Sequence, residues 1–242
     1  MAQYELKKMF LSKSARGRPG TKISPKALVI HWTANEDKGA DAVANRNYFN
    51  NSGEAVSAHY IVDNHQVVQC LPENEMAYHV GATSYKPQVL KLLSPYPNNC
   101  TIGIEMCVNK NGVFRKMYEN TISLASDILD RYKWDIGNLW RHYDVTGRHC
   151  PGFFVADSTA VRYGFDSAAA GWEKFKKDVL QGGPQMSKFT DLEGHWAKEV
   201  VERAHKLGLV AGKTEDKFAP NDNITRAEAV VLLMRLYDML KK

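Results

Sequence analysis

Apolar and polar residues follow one another along the first 180 positions in blocks that predict alternating strands and helices. The run ALVIHWT at 27–33 is short and almost continuously apolar, which predicts a buried strand. Further strands are expected at 58–63 and 66–70, as a hairpin, and at 101–107 and 139–142. Helices are expected at 39–50, 118–132 and 168–180. This alternation predicts an α/β fold with a central mixed β-sheet flanked by helices.

The pattern changes after position 180. The polar stretch QGGPQMS at 181–187 is rich in glycine and proline and is typical of a linker. Two helical patterns follow, at about 195–207 and 226–240, and Thr225 and Glu228 are spaced as a capping box for the second. The sequence therefore predicts a domain at 1–180, a linker at 181–187 and a small all-α module at 188–242.

Composition narrows the class of protein without naming its function. The chain has 242 residues, of which 44% are apolar and 24% charged, and this is ordinary for one full domain and a smaller one. The net charge of +5 fits an anionic polymer, but no basic run is interleaved with aromatic residues, so nucleic-acid binding is disfavoured. Four cysteines in a chain of this length are expected to be reduced thiols.

No stretch approaches the roughly 18 apolar residues of a membrane span, so membrane insertion is not expected. The first ten residues, MAQYELKKMF, lack the apolar region of a signal peptide. We therefore expect synthesis in a bacterial cytoplasm, and a target outside the membrane would be reached only after release.

Two histidines and a cysteine are candidate metal ligands. His31 ends the apolar strand at 27–33, His142 follows another strand-like run, and Cys150 comes eight residues later, directly before a proline. Two imidazoles and a thiolate leave one tetrahedral position of a zinc ion open, as catalytic zinc requires. The spacing alone also permits partly buried histidines that bond only to the backbone.

Three separated segments give these residues a family context. VIHWTAN at 29–35, IGIEM at 102–106 and RHYDVTGRHCPG at 141–152 together resemble the type-2 N-acetylmuramoyl-L-alanine amidases. That family includes many phage endolysins and is related to the peptidoglycan recognition proteins. The resemblance covers about residues 5–180. It implies hydrolysis, by zinc-activated water, of the amide bond between N-acetylmuramic acid and the L-alanine of the stem peptide.

The resemblance assigns roles at matching positions. It implies that His31, His142 and Cys150 hold Zn²⁺ and that Glu105, the glutamate of the G-I-E motif, assists the attacking water. A carboxylate in that place can take a proton from water and pass it to the leaving nitrogen. The alternative for Glu105 is a strand residue that faces solvent.

Two positions depart from the wider family. Arg148 stands where many relatives carry lysine, and arginine stays protonated at neutral pH. We therefore expect Arg148 to stabilise the oxyanion of the transition state, with a solvated loop cation as the alternative. Ala58 stands where some relatives carry tyrosine, and Tyr60 would point to the same side of a regular strand.

Three further residues are candidates for substrate contact. His79, in the segment YHVG at 78–81, matches a family segment that lines the cleft. Trp32 and Asn35 follow the first ligand and could meet glycan or peptide, although Trp32 could equally belong to the core.

The C-terminal part resembles one S-layer homology module. The resemblance rests on FTDLEGHW at 189–196, LGLVAG at 207–212, FAP at 218–220 and ITRAE at 224–228. It implies binding to a secondary cell-wall polymer, with Arg226 and Glu228 in the binding segment. The alternative for Glu228 is a helix cap only. Self-association through this single module is a further option.

These features together predict a peptidoglycan hydrolase of the endolysin kind, with peptidoglycan as its substrate. The alternatives are a recognition protein that binds peptidoglycan without cutting it and an S-layer-associated structural protein. Relatives that only bind lose a zinc ligand, and the three candidate ligands argue against that class.

Overall fold

A computed structural model describes residues 4–182, 189–206, 208–214 and 216–240. The chain divides into two compact units, Met1–Pro184 and Gln185–Lys242. Most of the predicted linker at 181–187 lies outside the described residues, since the description stops at Gly182 and resumes at Phe189.

A six-stranded sheet forms the centre of the first unit. Its strands are β1 (Glu5–Lys8), β2 (Ala27–Trp32), β3 (Tyr60–Val62), β4 (Gln66–Gln69), β5 (Thr101–Met106) and β6 (Leu139–Arg141). They lie side by side in the order β1-β4-β3-β5-β2-β6. The β3–β4 hairpin is antiparallel and the other neighbours are parallel, which confirms the predicted mixed sheet.

Six helices accompany these strands. They are α1 (Ala42–Asn51), α2 (Pro87–Leu92), α3 (Phe114–Tyr132), α4 (His142–Thr146), α5 (Asp157–Arg162) and α6 (Ala168–Leu180). The predicted helix at 168–180 has the observed bounds, and α3 begins four residues earlier than predicted. His142 was predicted to end a strand but instead begins α4, because the chain turns away from the sheet after Arg141.

The two faces of β2 separate the core from the candidate site. Leu28 and Ile30 are buried in the core that α3 and α6 cover. Successive side chains of a strand point to opposite faces, so Val29 and His31 lie on the other face. On that face Val29 packs against α2 and α4, and His31 is a candidate ligand.

The second unit is helical in its described part. A 3₁₀ turn at Thr190–Leu192 precedes α7 (Lys198–Lys206) and α8 (Arg226–Leu240), and α8 has the predicted bounds. The carboxylate of Asp191 accepts hydrogen bonds from the N–H groups of Phe218 and Ala219, which ties the segment before α8 to the 3₁₀ turn. Within the described ranges, neither unit has a helix of the length and apolar character that crossing a membrane requires.

Candidate metal centre

The candidate centre begins at the carboxyl end of β2. His31 is 1% exposed, and the strand register places it directly opposite Glu105 of β5. Apolar neighbours in β2, a central strand, fix the backbone, so the imidazole has little freedom to move away from the site.

The other two candidate ligands come from one folded turn. The guanidinium of Arg141 donates to the carboxylate of Asp144, with Nη2 and Oδ1 2.7 Å apart, and to the carbonyl of Phe154 at 2.6 Å. These bonds hold the start of α4, where His142 lies. The N–H of Tyr143 donates to the carbonyl of Cys150 at 2.9 Å and closes the turn, bringing Cys150 back beside His142.

His31, His142 and Cys150 each direct one ligand atom to a common point. Their candidate ligand atoms lie within 4.8 Å of one another, and Nδ1 of His31 is 3.7 Å from Sγ of Cys150. Tetrahedral zinc with bonds of about 2.0–2.3 Å separates its ligand atoms by roughly 3.3–3.6 Å. Nε2 of His142 is buried and has no hydrogen-bond partner within the described part of the chain. The donor set and its spacing therefore fit a zinc ion.

Burial keeps both imidazoles neutral. It holds the pKa of His31 well below its usual value, and the neighbouring His142 and His79 act in the same direction. Burial also lowers the pKa of His142 to about 4, assisted by the charge of Arg148. Neutral imidazoles carry the lone pair that a metal needs.

The thiol of Cys150 behaves differently from these imidazoles. Burial, with the nearby carboxyl of Glu105, raises the pKa of Cys150. The charge of Arg148 and a backbone hydrogen bond with Trp32 act in the opposite direction. A thiolate at this position therefore calls for a cation close by.

Glu105 lies against the ligand cluster. Its Oε1 is 3.9 Å from Nδ1 of His31, while its Oε2 is buried and lacks a hydrogen-bond partner among the described residues. Burial raises the pKa of Glu105 to about 8. The alternative of a glutamate that faces solvent does not match this position, since the side chain is only 16% exposed.

Arg148 and His79 differ in exposure, since Arg148 is exposed and His79 is buried. Arg148 is exposed on the loop between His142 and Cys150, and its guanidinium has no hydrogen-bond partner in the described ranges. His79 is buried behind His31, and Nδ1 of His79 lies 2.9 Å from Nε2 of His31. His79 thus contacts a candidate ligand from within the fold.

Trp32 and Asn35 follow the candidate ligand His31 in the sequence. The indole of Trp32 makes edge contacts with the rings of Phe153 and Tyr163, and it packs on the core of the first unit. Asn35 is exposed, and its Oδ1 accepts a hydrogen bond from the N–H of Asp37. Their proposed contact with substrate stays a prediction.

Tyr60 does not share a side with Ala58. Tyr60 packs in the core with Leu28 and Ile30, and its hydroxyl donates to Glu73 at 2.7 Å. Ala58 packs in a separate cluster on the other face. The alternation expected of a regular strand fails here because β3 begins only at Tyr60.

Thr101 and Gly103 both contact His79, and the sequence pattern did not identify either as a site residue. The hydroxyl of Thr101 lies 3.1 Å from Nε2 of His79, and a Cβ atom on Gly103 would lie 2.6 Å from Nδ1 of His79. A glycine inside a strand is the signal that could have revealed this close approach.

In the second unit, Arg226 and Glu228 are both exposed at the start of α8. Oε2 of Glu228 accepts from the N–H and the hydroxyl of Thr225, and the N–H of Glu228 donates back to that hydroxyl. Glu228 therefore caps the helix, and its part in polymer binding stays a prediction.

Comparisons with known proteins agree with this geometry. A probable N-acetylmuramoyl-L-alanine amidase of Bacillus licheniformis is 37% identical over 81% of this chain and 55% of its own length. The N-acetylmuramoyl-L-alanine amidase CwlL of the same organism is 37% identical over 79% and 51%. This chain therefore spans about half the length of these relatives.

The chain is also similar to a solved structure and matches two protein families. The structure of the catalytic domain of XlyA superposes with a TM-score of 0.59 at 27% identity, covering 72% of this chain and 99% of that domain. Residues 188–230 match the S-layer homology domain. Because residues 20–153 match the N-acetylmuramoyl-L-alanine amidase family, which is more than half of the sequence, the chain belongs to that family.

Proposed function

We propose that the chain is a zinc-dependent N-acetylmuramoyl-L-alanine amidase that cuts peptidoglycan between N-acetylmuramic acid and L-alanine. The observation that carries this proposal is the convergence of His31, His142 and Cys150 within 4.8 Å, with Glu105 beside them. When bound there, zinc would polarise the amide carbonyl and lower the pKa of a water molecule.

Glu105 is the proposed proton carrier. Its Oε1 lies beside the candidate ligand His31 and its Oε2 is buried, so a proton taken from the attacking water stays in the site. The same oxygen can then protonate the leaving nitrogen of L-alanine, which amide cleavage requires. Glu105 thereby acts first as a base and then as an acid.

Arg148 is the proposed stabiliser of negative charge. It lies on the exposed loop that joins α4 to Cys150, so its guanidinium can reach a substrate that enters from solvent. The N–H groups of its guanidinium can donate hydrogen bonds to the carbonyl oxygen as negative charge develops there. Since arginine does not release its proton near neutral pH, this role is separate from that of Glu105.

The chain has two proposed functional parts. Residues 1–180 are proposed as the catalytic domain, and residues 188–242 are proposed as a module that binds a secondary cell-wall polymer. The match to the S-layer homology domain supports the second assignment. Arg226 and Glu228 remain its proposed binding residues, and self-association of the module remains a prediction for sedimentation analysis of the full chain.

Mass spectrometry of digested peptidoglycan tests the activity directly. An amidase releases new L-alanine amino termini without new reducing ends, whereas new reducing ends would reject the proposal in favour of a glycosidase. The binding-only alternative makes a separate forecast, since a recognition protein would hold no zinc and would leave a suspension of cell walls turbid.

A further inference from the structure

His79 is almost fully enclosed by the fold. The side chain is 7% exposed, and Asn98 fixes the backbone by accepting from the N–H groups of His79 and Val80. The ring lies edge-on to His31, with centroids 5.1 Å apart. His79 is thus held in one orientation, and its contact with His31 is part of that orientation.

The surroundings of His79 determine which nitrogen carries its proton. Nε2 faces the hydroxyl oxygen of Thr101 at 3.1 Å and the carbonyl of Thr101 at 3.3 Å. The hydroxyl of Thr101 donates a hydrogen bond to the carbonyl of Pro97 at 2.7 Å, so its oxygen can only accept a hydrogen bond from His79. Two acceptors facing Nε2 require that Nε2 carries the proton, which leaves a lone pair on Nδ1.

The tautomer of His79 in turn determines that of His31. Nδ1 of His79, with its lone pair, lies 2.9 Å from Nε2 of His31 and therefore accepts a hydrogen bond from the Nε2–H of His31. A neutral His31 with its proton on Nε2 has its lone pair on Nδ1. That atom faces Sγ of Cys150 at 3.7 Å, on the side of the candidate metal site.

Gly103 makes this arrangement sterically possible. A Cβ atom at position 103 would lie 2.6 Å from Nδ1 and 2.7 Å from Cγ of His79, which is closer than atoms in contact can approach. Gly103 lies two residues before Glu105 on β5, so the strand that presents the carboxylate also leaves room for the ring of His79.

We propose that His79 is a positioning residue, which fixes His31 in the tautomer whose Nδ1 lone pair faces the metal site. Thr101 sets the tautomer of His79, and Gly103 provides the space. The inference rests on the proposed zinc site and gives His79 a role distinct from contact with substrate. A hydrogen bond to the second nitrogen of a ligating histidine fixes the ring and strengthens it as a ligand.

The tautomers can be read directly in the wild-type chain. Long-range ¹H–¹⁵N correlation of protein labelled with ¹⁵N-histidine distinguishes protonated from unprotonated ring nitrogens. We expect a proton on Nε2 and none on Nδ1 in both His79 and His31, without and with zinc. A proton on Nδ1 of His79 would overturn the inference, and this measurement needs no variant to fold.

Two substitutions separate positioning from packing. His79→Asn keeps an acceptor near the place of Nδ1, while His79→Leu fills similar space without one. For His79→Leu we expect zinc affinity, measured by competition with a chromophoric chelator, to fall about 10–100-fold, and for His79→Asn only a few fold. The visible spectrum of bound Co²⁺ should shift in His79→Leu and return toward wild type in His79→Asn.

The outcomes distinguish the inference from the function on which it rests. A wild-type chain that takes up no zinc would reject the proposed function. A wild-type chain that binds zinc, beside a folded His79→Leu that binds it equally tightly, would reject the positioning role alone. Should His79→Leu fail to fold, the tautomers of the wild-type chain decide the question.

Discussion

His31 and Glu105 lie directly opposite each other on two parallel strands, with Nδ1 of His31 3.9 Å from Oε1 of Glu105. The register of β2 against β5 therefore places a candidate ligand and a candidate proton carrier on the same face of the sheet. A slip of one residue would turn one of the two side chains into the opposite core.

Replacing Glu105 by Gln should leave zinc bound while removing most of the activity. The amide has nearly the shape of the carboxyl group but cannot take a proton from water, so turnover should fall by about 10²–10⁴-fold. Release of L-alanine amino termini measures the activity, and metal analysis measures the zinc. The exposed Glu54→Gln is the matched control and should retain both. Full activity in Glu105→Gln would remove this carboxyl from the mechanism.

Arg148→Ala should reduce kcat by about 10–100-fold with little change in KM, because the guanidinium is proposed to act on charge that develops in the transition state. Arg148→Lys keeps a positive charge but loses the fixed fork of donors, so an intermediate loss is expected. Arg115→Ala, whose side chain is 86% exposed on α3, is the control. A rise in KM alone would assign Arg148 to substrate binding instead.

The convergence of the three candidate ligands could be predicted because the residues beside them in the sequence are distinctive. His142 and Cys150 come from one short turn, and the apolar run that ends in His31 predicts its strand. The burial of His79 against His31 could not be predicted, because this contact joins positions 48 residues apart. His79 lies on no strand, so that contact depends on how its loop packs against β5, and the local pattern does not contain this information.

Four short elements of the first unit, β1, α2, α4 and α5, could not be predicted from the sequence pattern. The four residues of β1, ELKK, are all exposed, so an edge strand lacks the alternation that marks half-buried strands. The helices α2, α4 and α5 have only five or six residues, which is too short for a helical period to emerge. In contrast, α6 and α8 span three turns or more, and their periodic apolar residues gave the observed bounds.

Removing the metal should lower the thermal midpoint of unfolding, and added zinc should restore it, because a ligand that binds only the folded state stabilises it. Cys150→Ser should abolish stoichiometric zinc binding and this zinc-dependent gain. Cys100→Ser changes a buried thiol that lies outside the ligand group and should keep both. Equal zinc contents in the two variants would exclude Cys150 as a ligand.

The capping box of α8 allows the two roles of Glu228 to be separated. Thr225→Ala removes the hydroxyl that bonds to Glu228 but leaves its carboxylate in place. If Glu228 contacts the wall polymer, Glu228→Gln should weaken binding of the full chain to purified walls more than Thr225→Ala does. Equal losses in the two variants would instead mean that Glu228 acts only by capping the helix.

His59 should make the stability of the first unit depend on pH. Its Nδ1 accepts from the N–H of Gly103 at 3.1 Å, and Nε2 donates to the carbonyl of Glu75 at 2.8 Å, so the ring can take a second proton only at Nδ1, where the bond from Gly103 would be lost. Burial lowers the pKa of His59 to about 4, below the value of 6.5 for an unperturbed histidine. As pH falls below 6.5, His59 becomes protonated in the unfolded chain but stays neutral in the folded chain until the pH approaches 4. The free energy of unfolding therefore decreases across this window.

His59→Gln tests this dependence, since glutamine can still donate to the carbonyl of Glu75 but does not titrate. Between pH 7 and pH 5, the zinc-free wild-type chain should lose about 2 kcal/mol more unfolding free energy than the variant does. Urea unfolding of both proteins at each pH measures the difference, and contributions from the other histidines cancel in the comparison. Parallel pH profiles would show that His59 carries a proton in the folded chain as readily as in the unfolded one.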